Sequence, residues 1–376
     1  MQKTIIYFVS EDWYFCSHRL PVARIAFNNG FRVVIVTKIN KHEAMIKSEG
    51  FEVYPIEINR GSFNPIKDIK TIVSLYKCYK IYQPDIVHHV AIKPVIYGTL
   101  VARMIGAIKI VNAMTGLGFV FVSDSIKAKI IRFFVHKVFR FLFANENLSL
   151  ILQNKDDSNY FLKNNLLEKR QVCIIRGSGV DIKKFNKTER EYSKVPIIML
   201  ASRMLWDKGV GEFVDAAKII KKRGFNVHFV LVGDTDSKNP ASISNDQLHE
   251  WSKSKIIEYW GRRDNMHEIL NQACIVCLPS YREGLPKVLL EAASCEKPII
   301  TTNVPGCREI VSNGDNGILV LSKDVDSIVD AIEYLLNNPI EREEMGRRGR
   351  KIVESNFSED IIALKTLKLY KEILCS

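Results

Sequence analysis

Arg203 and Lys208 are spaced so that both could bind one anion. They lie five residues apart in SRMLWDKGV (202–210), directly after the apolar run VPIIMLA. An arginine offers a planar set of donors and a lysine a compact charge, so the pair suits a diphosphate. A helix starting near Gly211 would add the positive end of its dipole. The alternative is an ordinary basic loop exposed to solvent.

Two carboxylates in LPSYREGLPKVLLEA (278–292) suggest a site for hydroxyl groups. Glu283 precedes a predicted helix and Glu291 follows eight residues later, within that helix. Such a pair could bind two sets of sugar hydroxyls, while the backbone N–H groups of Gly284 and Leu285 bind an anion. The alternative is that both acids are solvated surface residues.

A glycine at the end of FVLVGD marks a third candidate contact. Gly233 follows an apolar run and precedes Asp234. Because glycine has no side chain, a ligand could approach the backbone closely there.

Apolar strand-like runs alternate with amphipathic helical runs along the whole chain. KTIIYFV, FRVVIVT and DIVHHV belong to a first series, and VPIIMLASR, NVHFVLVGD and CIVCLPS to a second. Near-continuous apolar strands separated by helices indicate a parallel sheet covered on both faces. The 376 residues suit two domains. We therefore predict an α/β fold of two doubly wound, Rossmann-like domains, with ligands beyond the carboxyl ends of the strands.

A polar, glycine-containing stretch, RGSGVDIKKFNKTEREYSKVP, separates the two series. It predicts an amino-terminal domain over 1–185 and a second domain over 186–357. A last helix over 358–376, with Ser358 as its N-cap, is a candidate to cross back to the first domain.

Residues 126–143, IKAKIIRFFVHKVFRFLF, break the alternating pattern. They contain no acidic residue, and on a helix Lys129, Arg132, His136 and Arg140 form one stripe beside a broad apolar arc. Five Lys/Arg positions argue against a transmembrane helix. A basic amphipathic helix on an anionic membrane fits better, and a core helix with a solvated edge is the alternative. The predicted membrane contacts are Lys129, Arg132, Lys137 and Arg140.

Composition excludes several classes of protein. The chain is 47% hydrophobic and 26% charged, unlike a disordered, collagen-like or polytopic membrane protein. Its 54 Lys+Arg against 42 Asp+Glu give a formal charge of +12, which attracts anions of any kind. Eight cysteines lie mostly in apolar runs without zinc-ligand spacing, so we expect no metal. The amino terminus runs directly into a strand-like segment, which predicts a cytoplasmic protein.

Glu283-Gly-Leu-Pro-Lys-Val-Leu-Leu-Glu291 resembles the E-x7-E signature of glycosyltransferase family 4. These are retaining enzymes with the GT-B fold, in which two Rossmann-like domains face a central cleft. SRMLWDKGV, LVGD, KPIITTNVPGCREIV and NGILV follow in the family's order, and RGSGVD resembles its interdomain element. In the first half, SHRLPVARIAFNNGFRV, RGSFNPIKD, KPVIYGTLVARMIG and VNAMTGLGFVF resemble a bacterial subgroup that extends polyprenyl-diphosphate-linked sugars.

The resemblance implies a metal- and cofactor-independent enzyme. It would move a hexose or N-acetylhexosamine from a UDP-sugar to an undecaprenyl-diphosphate-linked glycan, at the cytoplasmic face of the plasma membrane. Arg203 and Lys208 would neutralise the leaving diphosphate, Glu291 would bind the ribose, and Glu283 the donor sugar. The implied catalytic residues are Arg203, Lys208 and Glu283; the donor-binding residues are Gly233, Asp234, Arg263, Gly284, Leu285 and Glu291; the acceptor-binding candidates are His18, Arg60, His89, Lys93, Asn112 and Thr115.

Two segments depart from the family pattern. SEDWYF (10–15) stands where many members have a paired-glycine loop, and its side chains are expected to narrow the acceptor site. NAMTG (112–116) lacks a histidine that many members carry. The sequence offers no convincing carboxylate nucleophile, which favours same-face attack assisted by the leaving diphosphate.

Two other functions remain open at this point. A nucleotide-sugar epimerase shares the fold, but the Glu283–Glu291 spacing and the Arg203–Lys208 pair argue against it. A non-enzymatic anion-binding protein, for instance one that binds nucleic acid, is supported only by the net charge. Because no basic patch interleaved with aromatic residues is evident, we expect no nucleic-acid partner.

Overall fold

The computed structural model describes residues 2–59, 64–106, 108–116, 121, 126–188, 195–237 and 239–375. The chain forms two compact units, one made of Met1–Ser178 with Glu359–Ser376 and the other of Gly179–Ser358. The division lies between 178 and 179, before the expected boundary at 185, because Val180 and Phe185 pack into the core of the second unit. The carboxyl-terminal helix belongs to the first unit.

The first unit is a parallel sheet covered by helices. In the described residues its strand order is β3-β2-β1-β4-β5-β6-β7. The strands are β1 Thr4–Glu11, β2 Arg32–Lys38, β3 Glu52–Pro55, β4 Ile86–Val90, β5 Lys109–Ala113, β6 Leu148–Leu152 and β7 Val172–Ile174. The helices are α1 Asp12–His18, α2 Leu20–Asn28, α3 Glu43–Ser48, α4 Pro65–Tyr82, α5 Ile92–Ile105, α6 Ile126–Phe143, α7 Lys155–Lys163 and, from the chain terminus, α14 Glu359–Cys375.

Side chains of this sheet alternate between two separate cores. Ile6 and Phe8 of β1 face a core completed by α4, α5, α6 and α7, whereas Ile5 and Tyr7 face one completed by α1, α2, α3 and α14. This alternation is the two-residue period of a strand that is buried on both faces.

The second unit repeats the design. Its strand order in the described residues is β10-β9-β8-β11-β12-β13. The strands are β8 Ile197–Ala201, β9 His228–Val232, β10 Glu258–Gly261, β11 Ile275–Leu278, β12 Ile299–Thr302 and β13 Gly317–Val320. The helices are α8 Val210–Lys222, α9 Asn245–Lys253, α10 Met266–Gln272, α11 Lys287–Ser294, α12 Val325–Asn337 and α13 Pro339–Asn356. The prediction of two doubly wound parallel-sheet domains is confirmed.

Both sheets reverse their strand order at one point. In the first unit this point lies between β1 and β4, and in the second between β8 and β11. In doubly wound sheets, ligands bind beyond the carboxyl ends of the strands at this point.

A helix must be long and apolar to span a membrane. None of the described helices is both long enough and apolar enough to cross a bilayer.

Candidate active site

In the second unit, the loops after β8 and β11 touch at the point where the strand order reverses. Gly209 ends the first loop with a φ of +72°, and a Cβ there would lie 2.2 Å from the carbonyl oxygen of Pro279. The backbone N–H of Tyr281 donates to the carbonyl of Asp207 over 2.9 Å. The glycine therefore lets the two loops close on each other.

Lys208 and Glu283 form an ion pair across these loops. Lys208 Nζ lies 2.5 Å from Glu283 Oε1, and the two side chains are only 17% and 12% exposed. Ser280 Oγ donates to the same carboxylate oxygen over 2.8 Å. The structure thus brings together two residues that are 75 positions apart in the sequence and that the motifs had singled out separately.

Arg203 lies at the more exposed rim of the same loop. Its Nη1 donates to Asp236 Oδ2 over 2.8 Å, and its side chain is 50% exposed. Exposed ion pairs of this kind contribute only about 0–1 kcal/mol. An incoming anion could therefore displace Asp236 from Arg203 at little cost. Asp236 follows the predicted contact Asp234 by two residues and was not itself among the predicted site residues.

Gly233 is required by packing at the end of β9. Its φ is +139°, and a Cβ would lie 1.8 Å from the carbonyl oxygen of Ser202. Tyr259 donates its hydroxyl to the Gly233 carbonyl over 3.0 Å. Asp234, the next residue, is exposed, and its Oδ1 accepts a hydrogen bond from the Thr235 amide.

A second glycine supports the loop that carries Glu283. Gly306 has a φ of +83°, and a Cβ there would lie 2.5 Å from the Gly284 carbonyl oxygen and 2.7 Å from that of Glu283. It belongs to the NVPGC segment, whose family resemblance was noted but which had no assigned role. The sequence alone could not show that the backbone at Gly306 approaches the backbone at Glu283 and Gly284 so closely.

Tyr281 ties the same loop to the first turn of α8. Its hydroxyl donates to Glu212 Oε1 over 2.5 Å. Burial, and then the neighbouring Glu212 carboxyl, raise the pKa of Tyr281 above its usual range. The phenol therefore stays protonated and remains a hydrogen-bond donor at neutral pH.

The remaining donor-side candidates flank this pair. Gly284 and Leu285 directly precede α11, whose N-cap is Pro286. Glu291 is partly buried within that helix. Arg263 is exposed in the loop after β10, where its guanidinium donates to the carbonyl of Arg262.

In the first unit, His89 and Asn112 are interior residues. His89 Nδ1 lies 2.7 Å from Asn112 Oδ1, and its Nε2 lies 2.8 Å from the Tyr79 hydroxyl. Asn112 also donates to Thr99 Oγ1 over 2.9 Å. Both side chains are fully buried, and burial lowers the pKa of His89 to about 4, so the ring is neutral at pH 7. Their side chains therefore help to stabilise the core, and the acceptor-binding role predicted for them stays a prediction.

The other acceptor candidates have different surroundings. His18 stacks on Tyr14 with ring centroids 4.1 Å apart. Lys93 Nζ lies 3.2 Å from Asp68 Oδ1, and both side chains are 12% exposed. Thr115, Tyr14 and Glu11 line a hollow of about 30 Å³, room for about one water molecule. Arg60 lies outside the described residues.

The segment after β1 contains a buried carboxylate that the sequence did not single out. Asp12 accepts hydrogen bonds from the backbone amides of Asn40, Lys41 and His42 over 2.7–3.0 Å. Burial by itself raises the pKa of Asp12, but hydrogen bonds, foremost from the amides of His42 and Asn40, outweigh it and lower the pKa to about 2. Asp12 thereby fixes the loop after β2.

On α6, only part of the predicted cationic stripe is exposed. His136 Nε2 contacts the Tyr160 hydroxyl of α7 over 2.8 Å, and Arg132 is partly buried. Lys129, Lys137 and Arg140 are exposed. The outward face also presents large apolar side chains, at Ile126, Ile130, Ile131, Phe133, Phe134, Val138 and Phe141.

Metal ligands are not grouped in the part of the chain that the structure describes. There, no cluster of three or more His, Cys, Asp or Glu residues is arranged to hold a metal ion. Cys274 and Cys277 are free thiols, and burial raises the pKa of each.

Comparisons with known proteins agree with this architecture. The family model described as glycosyl transferases group 1 matches residues 181–352, and the glycosyl transferase 4-like model matches residues 4–148. A Campylobacter jejuni N,N'-diacetylbacillosaminyl-diphospho-undecaprenol alpha-1,3-N-acetylgalactosaminyltransferase is 28% identical over 95% of each chain. An Escherichia coli UDP-Gal:alpha-D-GlcNAc-diphosphoundecaprenol alpha-1,3-galactosyltransferase is 29% identical over 73% of this chain and 72% of its own.

Solved structures share the fold at lower sequence identity. A glycosyltransferase from Rickettsia africae superposes with a TM-score of 0.80 over 99% of each chain at 19% identity. Anabaena HepE, solved with UDP and glucose, gives a TM-score of 0.77 over 98% of this chain and 99% of its own, at 15% identity. The two family models match consecutive parts that together make up most of the chain, and both compact units have the expected topology. The chain therefore consists of a glycosyl transferase 4-like amino-terminal part followed by a glycosyl transferases group 1 part, with the GT-B fold.

Proposed function

We propose that the protein is a retaining, metal-independent glycosyltransferase. It moves a hexose or N-acetylhexosamine from a UDP-sugar to an undecaprenyl-diphosphate-linked glycan. The names of the relatives support this substrate class, since the Campylobacter jejuni enzyme acts on a diphospho-undecaprenol-linked sugar and the Escherichia coli enzyme uses UDP-Gal. We assign donor binding to the second unit and acceptor binding to the first.

The observation that carries the proposal is the Lys208–Glu283 pair at the strand-order reversal of the second unit. Its 2.5 Å contact holds an ammonium group and a carboxylate side by side at the carboxyl edge of the sheet. A nucleotide sugar offers a matching pair of groups, because its diphosphate needs a cation and its sugar hydroxyls need an acceptor. Lys208 therefore faces the diphosphate and Glu283 the transferred sugar.

The leaving group is stabilised by fixed positive charge. Arg203 and Lys208 supply two cations on one loop, and the amino termini of α8 and α11 add backbone amides. Charge that develops on a departing diphosphate is stabilised most by groups already in position. These side chains do the work that a divalent cation does in other glycosyltransferases.

The reaction exchanges one bond for another at the anomeric carbon. The bond between that carbon and the diphosphate oxygen breaks, and the acceptor hydroxyl oxygen bonds to the same face. The hydroxyl proton passes to the departing phosphate oxygen, so the enzyme needs no separate base. Glu291 binds the ribose, while Gly233, Asp234 and Arg263 lie nearer the base of the nucleotide.

The acceptor is bound by the first unit. His18, Lys93 and Thr115 remain candidates because each is only partly buried. Arg60 remains a prediction from the sequence. The hollow beside Thr115 is too small for a sugar, so the acceptor glycan binds over it rather than inside it.

The enzyme works as a peripheral protein on the cytoplasmic face of the membrane. The outward side of α6 supports this, since Phe133, Phe134 and Phe141 are each more than half exposed beside Lys129 and Lys137. An amphipathic helix with bulky apolar residues and flanking cations suits the headgroup region of an anionic bilayer.

A transfer assay tests the donor site. We expect Arg203→Ala and Glu283→Ala to lower transfer to synthetic polyprenyl-diphosphate glycans by about 10²–10³-fold, in EDTA, while the protein stays folded. Arg262→Ala, an exposed arginine in the same unit, is the matched control and should keep full activity. Near-normal turnover of either donor-site variant, or activity that EDTA abolishes, would contradict the proposal.

A further inference from the structure

The surplus of positive charge is concentrated in three helices. α4, α5 and α6 together contain eleven Lys and Arg residues against a single Asp, a formal charge of +10. The rest of the chain holds 43 Lys and Arg against 41 Asp and Glu, and so is close to neutral. The net charge of +12 is therefore a property of one part of the first unit and not of the molecule as a whole.

These three helices form one layer. Leu75 of α4, Val101 of α5 and Phe139 of α6 belong to the same core, which lies on the β1 face of Ile6 and Phe8. α5 packs between the other two helices. The outward sides of α4, α5 and α6 therefore look away from the same face of the sheet.

The single carboxylate of the layer points inward. Asp68 is 8% exposed, and its Oδ1 lies 3.2 Å from Lys93 Nζ. Its Oδ2 accepts from the amide of Asn64 over 3.2 Å. No carboxylate of these helices is thus left on the outward side to repel an anionic partner.

The outward side is also unusually apolar. Of the 21 large hydrophobic side chains that are exposed in the described residues, twelve lie on these helices. On α4, Ile66, Ile69 and Val73 are 71%, 60% and 49% exposed, and their spacing places them on one stripe. Lys70, Lys77 and Lys80 are exposed on the same outward side. Exposed apolar residues clustered in this way mark an interaction surface.

We propose that α4, α5 and α6 form a single docking face for an anionic lipid bilayer, in which α4 is a second membrane-contact helix beside α6. The inference rests on the proposed peripheral membrane association and extends it from one helix to a layer. The lysines meet lipid phosphates, and the isoleucine and valine side chains enter the boundary between headgroups and acyl chains. A nucleic acid would match the charge but would leave Ile66, Ile69 and Val73 in water.

A charge-reversal experiment on α4 tests the inference. The probes are vesicles that contain phosphatidylglycerol and vesicles of phosphatidylcholine alone, assayed by co-sedimentation. We expect Lys70→Glu, Lys77→Glu and Lys80→Glu, combined in the full chain, to weaken binding to the anionic vesicles by roughly tenfold or more. The matched control is the combined change Lys365→Glu, Lys368→Glu and Lys371→Glu on α14, which covers the opposite face of the same sheet and should bind as the wild type does.

A second variant separates a bilayer from a nucleic acid. Ile66→Gln, Ile69→Gln and Val73→Gln keep helix propensity and charge, and should weaken vesicle binding, most clearly in high salt where charge attraction is screened. Unchanged vesicle binding together with tight binding of a single-stranded oligonucleotide would overturn the inference in favour of a nucleic acid.

Charge reversal on α6 distinguishes the three-helix docking face from the peripheral membrane association on which it rests. If Lys129→Glu, Lys137→Glu and Arg140→Glu release the protein from vesicles and both α4 variants do not, α6 acts alone and the three-helix face is wrong. If the wild-type protein binds neither vesicle, both the face and the peripheral membrane association are wrong. Circular dichroism spectra that match the wild type establish that each variant is folded.

Discussion

The two sheets share one strand order over six strands, but the polar side chains at their carboxyl edges are placed differently. In the second unit Lys208, Glu283 and Arg203 lie on loops and keep some exposure. Lys208 pairs with Glu283 across the strand-order reversal, and Arg203 pairs with Asp236 on the loop after β9. In the first unit His89 and Asn112 belong to the strands themselves, are fully buried, and satisfy each other. The first set can exchange a protein partner for a ligand, whereas the second cannot without opening the core.

The difference shows that position on a strand is not enough to predict a binding residue. His88 and His89 are adjacent on β4, so their side chains leave opposite faces of the sheet. His88 contacts the Tyr370 hydroxyl in one core and His89 contacts the Tyr79 hydroxyl in the other. Because both faces are covered by helices, both histidine rings are fully buried. A residue becomes a candidate ligand contact only after the strand has ended.

The largest predicted effect is a loss of catalytic efficiency when the Lys208–Glu283 pair of the second unit is altered. We expect Lys208→Ala and Glu283→Gln each to lower kcat/KM by about 10²–10³-fold. Since the two side chains form one pair, the double variant should lose little more than the worse single variant. Steady-state kinetics with saturating acceptor measures this coupling. Fully additive losses would show that the two residues act separately.

Substitution of the buried polar residues of the first unit should change the free energy of unfolding instead of the rate of transfer. We expect His89→Ala to lower the free energy of unfolding by about 2–4 kcal/mol, because it leaves a cavity and removes the partner of buried Asn112. Chemical denaturation measures the loss, and KM for the donor should stay at its wild-type value. His18→Ala, at a partly buried site, is the control and should change acceptor KM with little loss of stability. A stable His89→Ala variant with a raised acceptor KM would restore His89 as a binding residue.

A smaller effect is expected at Asp12, through pH. Its pKa is about 2 in the folded protein against the ordinary 3.8, so the ionised carboxylate stabilises the fold above about pH 4. This contribution is lost as the pH falls from about 4 to about 2. Asp12→Asn should therefore cost about 1–2 kcal/mol at neutral pH and unfold with a flatter dependence on acid pH. Urea titrations across that range measure it, and parallel curves for the two proteins would contradict the account.

Much of the fold could be predicted from the sequence, and the same motifs indicated the residues of the candidate donor site. Alternating apolar strands and helices predicted both doubly wound sheets, since that pattern is local and repeats along the chain. Arg203, Lys208, Glu283 and Glu291 were identified because each lies in a short motif at fixed spacing.

Other features depend on contacts between distant parts of the chain. The carboxylate of Asp12 is held by amides of residues 40–42. Tyr281 and Glu212 form a hydrogen bond across 69 positions. The charged face was recognised only on α6, because the lysines of α4 join it only when the sheet places both helices in one layer.

Binding of UDP to the protein in EDTA tests the central claim most directly. Isothermal titration calorimetry should give a single site per chain in the wild type. It should also give at least about tenfold weaker binding in Lys208→Ala and in Arg203→Ala, because each variant removes a cation from the diphosphate. Equal affinity for UDP in the wild type and both variants, or binding that requires an added divalent metal ion, would contradict the claim that these two side chains hold the diphosphate of the donor.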